Sequence, residues 1–438
     1  MIGGYFCSLG IWPRICARVE IAQKVKQYRP HDKLLDCFIH ILAGGRGLSQ
    51  IETLVRPDAA LQRAFGRSAC AEQSTISDTL DACTAQTDEQ MRAVLCEVFQ
   101  RHSRSYRHDY TQQMQQVDVD MTGWPAGAQC EGAEKGFFAD QAHRRGRQLG
   151  RVLASAYDEV VVDRLYAGKR QLEHCLPELV SEAEGVLGLQ GDSAAARKKR
   201  ANTVVRVDGG GGTEADINWL LARDYRIMLK VRNAQRARKL AESVGTWVAD
   251  PQVLGRQVGW VERPTPYVAP TRQLAIRHRK TGGKHAGEFG YSVLVFNLSD
   301  VPLAQLLGSP PPASPTDAQA LFNALHYYDR RGGGVETQIK GDKGGLGLAH
   351  RNKRRFYAQA MLVQLGHLAH NWVIWSRNRL ARIDARFTHF GILRMVRDVY
   401  SISGFVDCDP SGGVQHVELN DRHPYAASVA RAFAPPYV

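Results

Sequence analysis

The hydrophobic rhythm of the chain changes near residue 110. Before that point apolar residues recur at helical spacing: HDKLLDCFIHILAGG sets them three and four apart, and GLSQIETLV and DAALQRAFG follow as short amphipathic segments divided by Gly44-Gly45 and Pro57. STISDTLDACTAQTDEQMRAVLCEVFQ opens on Ser and Thr, whose hydroxyls accept from the free N–H groups of a first helical turn, and continues with the same period. From Tyr110 onward the pattern is different. QQVDVDM, GRVLASAY and EVVVDRLY are short β-rich runs, QLEHCLPELVSEAEGVLGL is helical, NTVVRVDGG is a fourth strand, DINWLLARD a helix and YRIMLKVR a fifth strand.

Three strands, a helix, a strand, a helix and a strand is the order of a ribonuclease-H-like α/β core. The expected fold class is therefore α/β, with an all-helical N-terminal domain over 1–108 and the first part of the core over 109–234. The stretch 235–315 carries GWVERPTPYV, RQLAIRHR and YSVLVFNLS between Pro and Gly, and predicts an inserted β-rich domain. The insertion also explains why 128 residues separate Asp208 from Glu336, more than a helix and one strand require. After the SPPPASPTD linker, 316–400 holds the helix DAQALFNALHYY, the Glu336 segment and a long helix, RRFYAQAMLVQLGHLAHNWVIWSRNRL. Its apolar stripe is broken by Gln364, His367 and His370. Residues 401–438 are polar and Pro-rich and predict a peripheral or flexible tail.

Three carboxylates stand where these elements end or begin. Asp120 in VDVDMTGWP and Asp208 in VVRVDGGGGT each close an apolar run and meet a breaker, and Glu336 in YYDRRGGGVETQIKGDK follows three glycines and opens a helical pattern. Hard divalent cations take carboxylate oxygens, and a pair of them can clamp the attacking and leaving oxygens of a phosphoryl transfer. Asp118 shares a strand face with Asp120, because side chains repeat every second residue. Asp120 is the first choice as ligand, and Asp118 is expected behind it or in solvent. The glycines after Asp208 lack the Lys-Ser/Thr of a P-loop, so nucleoside triphosphate binding is excluded and a sharp turn beside the Asp is expected. Glu336, Ile339, Lys340 and Lys343 fall at helical offsets that put a carboxylate and two cations on one face, a spacing shared by salt-bridged surface helices.

Charge adds a partner to this picture. The net charge of +13 points to a polyanion. Basic runs at His143–Arg147, Arg197–Arg200, Arg277–Lys280 and Arg351–Arg355 are spread as nucleic-acid wrapping requires, although any one of them reads equally as a solvated loop. GLSQIETLV and EQSTISDTLDAC have the lengths of a helix-turn-helix but show no basic recognition face, so a small helical bundle is the plainer reading. His367 and His370, one turn apart among apolar neighbours, and Trp372 and Trp375 read as core. Nine scattered cysteines without a C-x-x-C pair fit a reduced cytoplasm, and neither a cleavable leader nor a stretch of about 20 apolar residues is present, so no membrane partner is expected.

Tyr328-x-x-Arg331, Glu336 and Lys343, together with DMTG, RVDGG and RNKRRFYAQAMLVQLGHLAHN, resemble the Y-R-E-K group of bacterial insertion-sequence DDE transposases over roughly 30–385. Four residues separate Arg331 from Glu336, one more than the widespread signature, and the glycine run is expected to loop out the extra one. The resemblance implies two Mg²⁺ (or Mn²⁺) ions on Asp120, Asp208 and Glu336, with Tyr328, Arg331, Lys340 and Lys343 holding DNA phosphates. It implies cutting at terminal inverted repeats, joining of the 3′-hydroxyl to target DNA, a homodimer in the DNA complex and a bacterial, nucleoid-associated location. A non-catalytic DNA-binding relative and a ribonuclease-H-like nuclease without strand transfer are the alternatives.

Overall fold

Three runs of alternating or continuous β-branched residues form the first half of the central sheet: β1 (Gln115–Pro125), β2 (Arg145–Ala154) and β3 (Glu159–Ala167). A computed structural model describes residues 1–136, 138, 144–282, 286–310, 316–411 and 413–434. The helical N-terminal region ends with α1 (Ala85–His102), capped by Thr84. After β3 come α2 (Leu176–Leu187), β4 (Thr203–Val207), α3 (Glu214–Ala222) and β5 (Arg226–Lys230). β1 runs antiparallel to β2 and parallel to β4, and β4 runs parallel to β5, giving the lateral order β3-β2-β1-β4-β5.

The stretch expected to be an inserted β-rich domain does form strands, but they extend this same sheet. The two-residue β6 (Val248–Ala249), β7 (Arg256–Trp260), β8 (Arg272–Arg279) and β9 (Phe289–Phe296) continue it as β5-β9-β8-β7-β6. The join is antiparallel, with Leu294 opposite Lys230 and Phe296 opposite Met228. Pairing β9 onto β5 removes the unsatisfied backbone edge that β5 would otherwise present.

The two faces of the sheet bury different partners. Val117, Val119, Val205 and Val207 pack under α2 and α3 with Leu176, Leu179, Ile217 and Leu220. On the opposite face Val204, Met228 and Phe296 meet Leu321, Ala324 and Leu325 of α4 (Asp317–Arg331), and Leu153 and Val160 meet Val335 and Ile339. Ile339 belongs to α5 (Thr337–Gly345). α6 (Phe356–Ala381) then runs under the N-terminal helices, and Phe6 packs 5.0 Å from Phe38 and 5.1 Å from Trp372 between ring centroids. The N-terminal helices and α6 share one hydrophobic core, so residue 108 marks a change of secondary structure without a break in packing.

Of the polar residues that interrupt the stripe of α6, Gln364 and His370 tie it to its neighbours, whereas His367 Nδ1 is buried without a hydrogen-bond partner. Gln364 donates to the Asp163 carbonyl, and Asn371 donates to the Val160 carbonyl while accepting from its N–H. His370 meets the Asp342 carboxylate at 2.8 Å and the Asp158 carbonyl at 2.8 Å. Asp342 also accepts from Arg151, which forms a bidentate pair with Asp163 at 2.7 and 2.6 Å. All of these side chains are buried.

The tail, expected to be peripheral or flexible, is peripheral in part and ordered at its end. β10 (Gly404–Cys408) and β11 (Val414–Leu419) form an exposed hairpin, and α7 (Ala426–Phe433) docks the fully buried Phe433 beside Tyr5. All nine cysteines are free. No helix of the described residues is long and apolar enough to cross a membrane.

Arg151 holds two carboxylates from two elements, so truncating it leaves buried charges without a partner. Arg151→Met should lower unfolding free energy by about 3–5 kcal/mol, measured by urea denaturation; a loss under about 1 kcal/mol would show that the network adds no more than a surface ion pair.

Candidate active site

The register of two neighbouring strands sets the site. β1 and β4 pair in parallel up to Val119 opposite Val207, so Asp120 and Asp208 stand side by side one residue beyond the last pair, at the carboxyl ends of the strands. That is where ligand sites of open α/β sheets form. Asp120 accepts from the Met121 N–H and Asp208 from the Gly210 N–H, each at 2.8 Å. The glycine run after Asp208 serves a close approach: a Cβ on Gly212 would stand 1.8 Å from the Lys230 carbonyl of β5. Arg232 fastens the same loop by donating to the Gly210 carbonyl at 3.2 Å and pairing with Glu173.

Asp118 is neither solvated nor a neighbour of the cleft. It is fully buried and takes a bidentate pair from Arg206 of β4 at 2.6 and 2.9 Å, and Arg206 donates its remaining terminal nitrogen to the Tyr327 carbonyl at 2.9 Å. Of the two positions expected for Asp118, behind Asp120 or in solvent, the structure has the buried one. The period-2 argument placed it on the right face; a basic residue on the adjacent strand then made it an internal tether. Through Tyr327 that tether fixes the end of α4, the helix that carries Tyr328 and Arg331.

Glu336 arrives by a distorted turn. α4 ends at Arg331 and α5 begins at Thr337, and Gly332–Glu336 form a wide π-type turn kinked at Gly334 (φ −90°, ψ −106°). The extra residue expected to loop out is taken up inside this turn, as π-bulges accommodate single insertions. Gly334 is needed for contact: a Cβ there would come within 2.8 Å of Asp118 Oδ2.

Asp208, Tyr328, Arg331 and Glu336 line one cleft of about 950 Å³, and Asp120 stands just behind its wall, one residue before the lining Met121. Arg331 is part of the cleft wall, with Nη2 3.1 Å from Asp120 Oδ1 and Nη1 3.0 Å from Glu336 Oε1. Burial, reinforced by Asp208 and Glu336, raises the Asp120 carboxyl to about 6 against the pull of Arg331. Burial works against the Arg331 charge, but Asp120 and Asp208 outweigh it and hold the guanidinium above its ordinary value. The Tyr328 hydroxyl is pushed up by burial. Lys343, held down by burial and Arg151, donates to Thr122 Oγ1 at 2.7 Å beside Asp120. Lys340 is exposed and lies off the cleft wall.

The far wall of the cleft carries residues that the motifs did not single out: Lys230, Arg232 and Tyr291. Lys230 and Arg232 had a signal, because YRIMLKVR is the strand next to β4 and its carboxyl end must fall beside Asp208. Tyr291 reaches the site through the β5-β9 pairing, which no local pattern encodes.

The basic runs are partly internal. Arg147 donates to the carbonyls of Glu131, Lys353 and Arg354, and Arg200 to those of Leu189, Gly191 and Arg223. Arg351 binds the Gly45 and Leu346 carbonyls. Lys353 holds Ser77 and Asp81 of the Gln73–Asp81 helix, which ties one face of that segment to the core. His143 lies outside the described residues. Arg277 stacks on Trp247 at 4.2 Å and Phe289 at 4.7 Å.

No family model and no curated protein matches the chain. Among solved structures, it is similar to a piggyBac transposase synaptic complex with hairpin DNA, at 13% identity and TM-score 0.49, covering 90% of this chain and 79% of that one. A pre-cleavage Mos1 transpososome is similar at 13% identity and TM-score 0.18 over 48% of this chain and 60% of that one. Likenesses of this degree carry no weight for function, which rests on the cleft itself.

Asp118 and Asp120, two residues apart, should respond oppositely to the same substitution. Asp118→Asn should cost about 3–5 kcal/mol, because Arg206 loses its charged partner in the interior. Asp120 has a folded value raised above its unfolded one, so its contribution to stability is full below pH ~4 and is lost as pH rises through about 6. In metal-free buffer Asp120→Asn should match the unaltered protein near pH 4 and exceed it by about 1–3 kcal/mol at pH 7. Denaturant titrations at the two pH values check both, and equal destabilisation by the two variants would contradict the assignment.

Proposed function

We propose that the protein is a DDE transposase that cuts double-stranded DNA at the terminal inverted repeats of its element and joins the freed 3′-hydroxyl to target DNA. The observation that carries this reading is the parallel register that sets Asp120 beside Asp208, with Glu336 lining the same cleft as Asp208 and joined to Asp120 through Arg331. The core is read as ribonuclease-H-like, supported by the order β3-β2-β1-β4-β5 in which β2 alone runs antiparallel to its neighbours.

The donor set is three carboxylates, hard oxygen ligands suited to Mg²⁺ or Mn²⁺ and unsuited to softer metals. Among the described residues no three acidic, His or Cys side chains are close enough together to hold an ion as they stand, and Arg331 lies between two of the three. Asp120, Asp208 and Glu336 are the residues that would hold two such ions, which when bound supply Lewis acidity at the attacking and leaving oxygens. The chain's own groups do the rest. Tyr328 presents a neutral donor whose phenol is held protonated by its surroundings, and Lys230, Arg232 and Lys343 place positive charge around the phosphodiester. Closing the cleft over DNA strengthens these contacts by excluding water. A homodimer would bring two element ends together, and the bacterial nucleoid is the proposed location.

Purified protein, Mg²⁺ and a supercoiled plasmid carrying the DNA that flanks the gene test the reading. Excised and joined products are expected. Nicking without joining would make the protein a nuclease, and a gel shift without cleavage a DNA-binding relative. Asp208→Asn should lower cleavage on the order of 10²–10³-fold or more while leaving the gel shift within about threefold, a change under 1 kcal/mol.

A further inference from the structure

Two of the three carboxylates are paired with a cation that belongs to the chain. Arg331 bridges Asp120 and Glu336 at 3.1 and 3.0 Å and donates to the Val119 carbonyl at 3.2 Å, so two of the three carboxylates are already neutralised from within. A guanidinium and a divalent ion compete for the same oxygens, since both are recognised by carboxylate lone pairs.

Two further observations show that this position of Arg331 is incomplete. Its Nε–H is buried with no hydrogen-bond partner, although the residue is 4% exposed. A buried unsatisfied donor costs free energy that a suitable acceptor recovers. The residue is also followed directly by Gly332 and Gly333, ahead of the kink at Gly334, and its partner Glu336 is 58% exposed. The exposed Glu336 end of the bridge can therefore move and the Arg331 side chain can swing from its fixed helix end, while Asp120 is held by the sheet. An acceptor with several oxygens in one tetrahedral group, entering the cleft beside Tyr328, would satisfy Nε and a terminal nitrogen together, as bidentate phosphate contacts do.

We infer that Arg331 is an internal counter-cation that gates the site: a DNA phosphate draws it off Asp120 and Glu336, and only then are the carboxylates free for divalent ions. DNA and metal then bind with positive coupling, because each favours the arrangement in which the bridge is open. This rests on the proposed reading of the three carboxylates as metal ligands. Arg331 acts here as a positioning residue, since its effect reaches the metal through the carboxylates.

The test is Mn²⁺ binding to the full chain, followed by electron paramagnetic resonance and calorimetry, with no turnover required. In the unaltered protein a short duplex taken from the DNA flanking the gene should tighten Mn²⁺ binding by about 5-fold or more. Arg331→Gln without DNA should bind Mn²⁺ about 10-fold more tightly than the unaltered protein, and DNA should add little further. Lys230→Gln removes a positive charge from the same cleft without touching the bridge, and should shift Mn²⁺ affinity less than Arg331→Gln. Equal shifts in the two variants would overturn the gate, as would equal affinity in Arg331→Gln and the unaltered protein or the absence of a DNA effect in the latter. If Mn²⁺ binds none of these proteins, with or without DNA, the metal-site reading itself fails. If it binds and Asp208→Asn abolishes binding, that reading stands even where the gate does not.

Discussion

The buried pair between Asp118 and Arg206 is the constraint on which the rest of the site depends. It lies across the parallel pairing of β1 and β4, two residues before Asp120 and Asp208, and any slip in register would separate it. A one-residue slip turns every side chain to the other face of a strand, so the pair and the two cleft carboxylates stand or fall together. Its third hydrogen bond, to the Tyr327 carbonyl, extends the same control to α4 and so to Tyr328 and Arg331. One charged contact in the interior thus couples strand register to the position of a helix.

A second buried network does the corresponding work on the far side of Glu336. Arg151, Asp163, Asp342 and His370 join β2, β3, α5 and the long α6. Such clusters add little stability relative to well-packed apolar residues, but breaking one member is costly. The two networks flank the glycine-rich turn, which Val335 anchors against Leu153 and Val160, and between them the π-type turn carries Glu336 into the cleft. Rigid anchors on each side of a deformable turn are what a site needs if one of its bridges opens when a ligand arrives.

Much of this was legible in the chain. The five strands and two helices of the core follow from β-branched runs ended by glycine and charged residues, and the carboxylates at strand ends follow from those boundaries. Other features were not legible, for physical reasons. The β-rich stretch after residue 235 has strand periodicity, but periodicity does not name a partner, and Lys230 meets Leu294 across 64 residues. The hairpin at 404–419 exposes both faces, so it lacks the alternation that marks a half-buried strand. Arg147, Arg200 and Arg351 sit in basic runs that read as surface, yet each caps backbone carbonyls in the interior, a use of arginine that composition cannot distinguish from solvation. Arg331, expected at a phosphate, stands instead between two carboxylates.

If Asp120, Asp208 and Glu336 together hold divalent metal, iron-mediated cleavage of the polypeptide will report all three positions at once. Fe²⁺ substituted at the site, with ascorbate and peroxide, generates hydroxyl radicals that cut the backbone locally, and mass spectrometry locates the cuts. Three clusters of cuts are expected, around Asp120, Asp208 and Glu336, enhanced by DNA, suppressed by excess Mg²⁺ and lost in Asp208→Asn. Cuts elsewhere, or at one of the three positions alone, would contradict a metal site shared by all three.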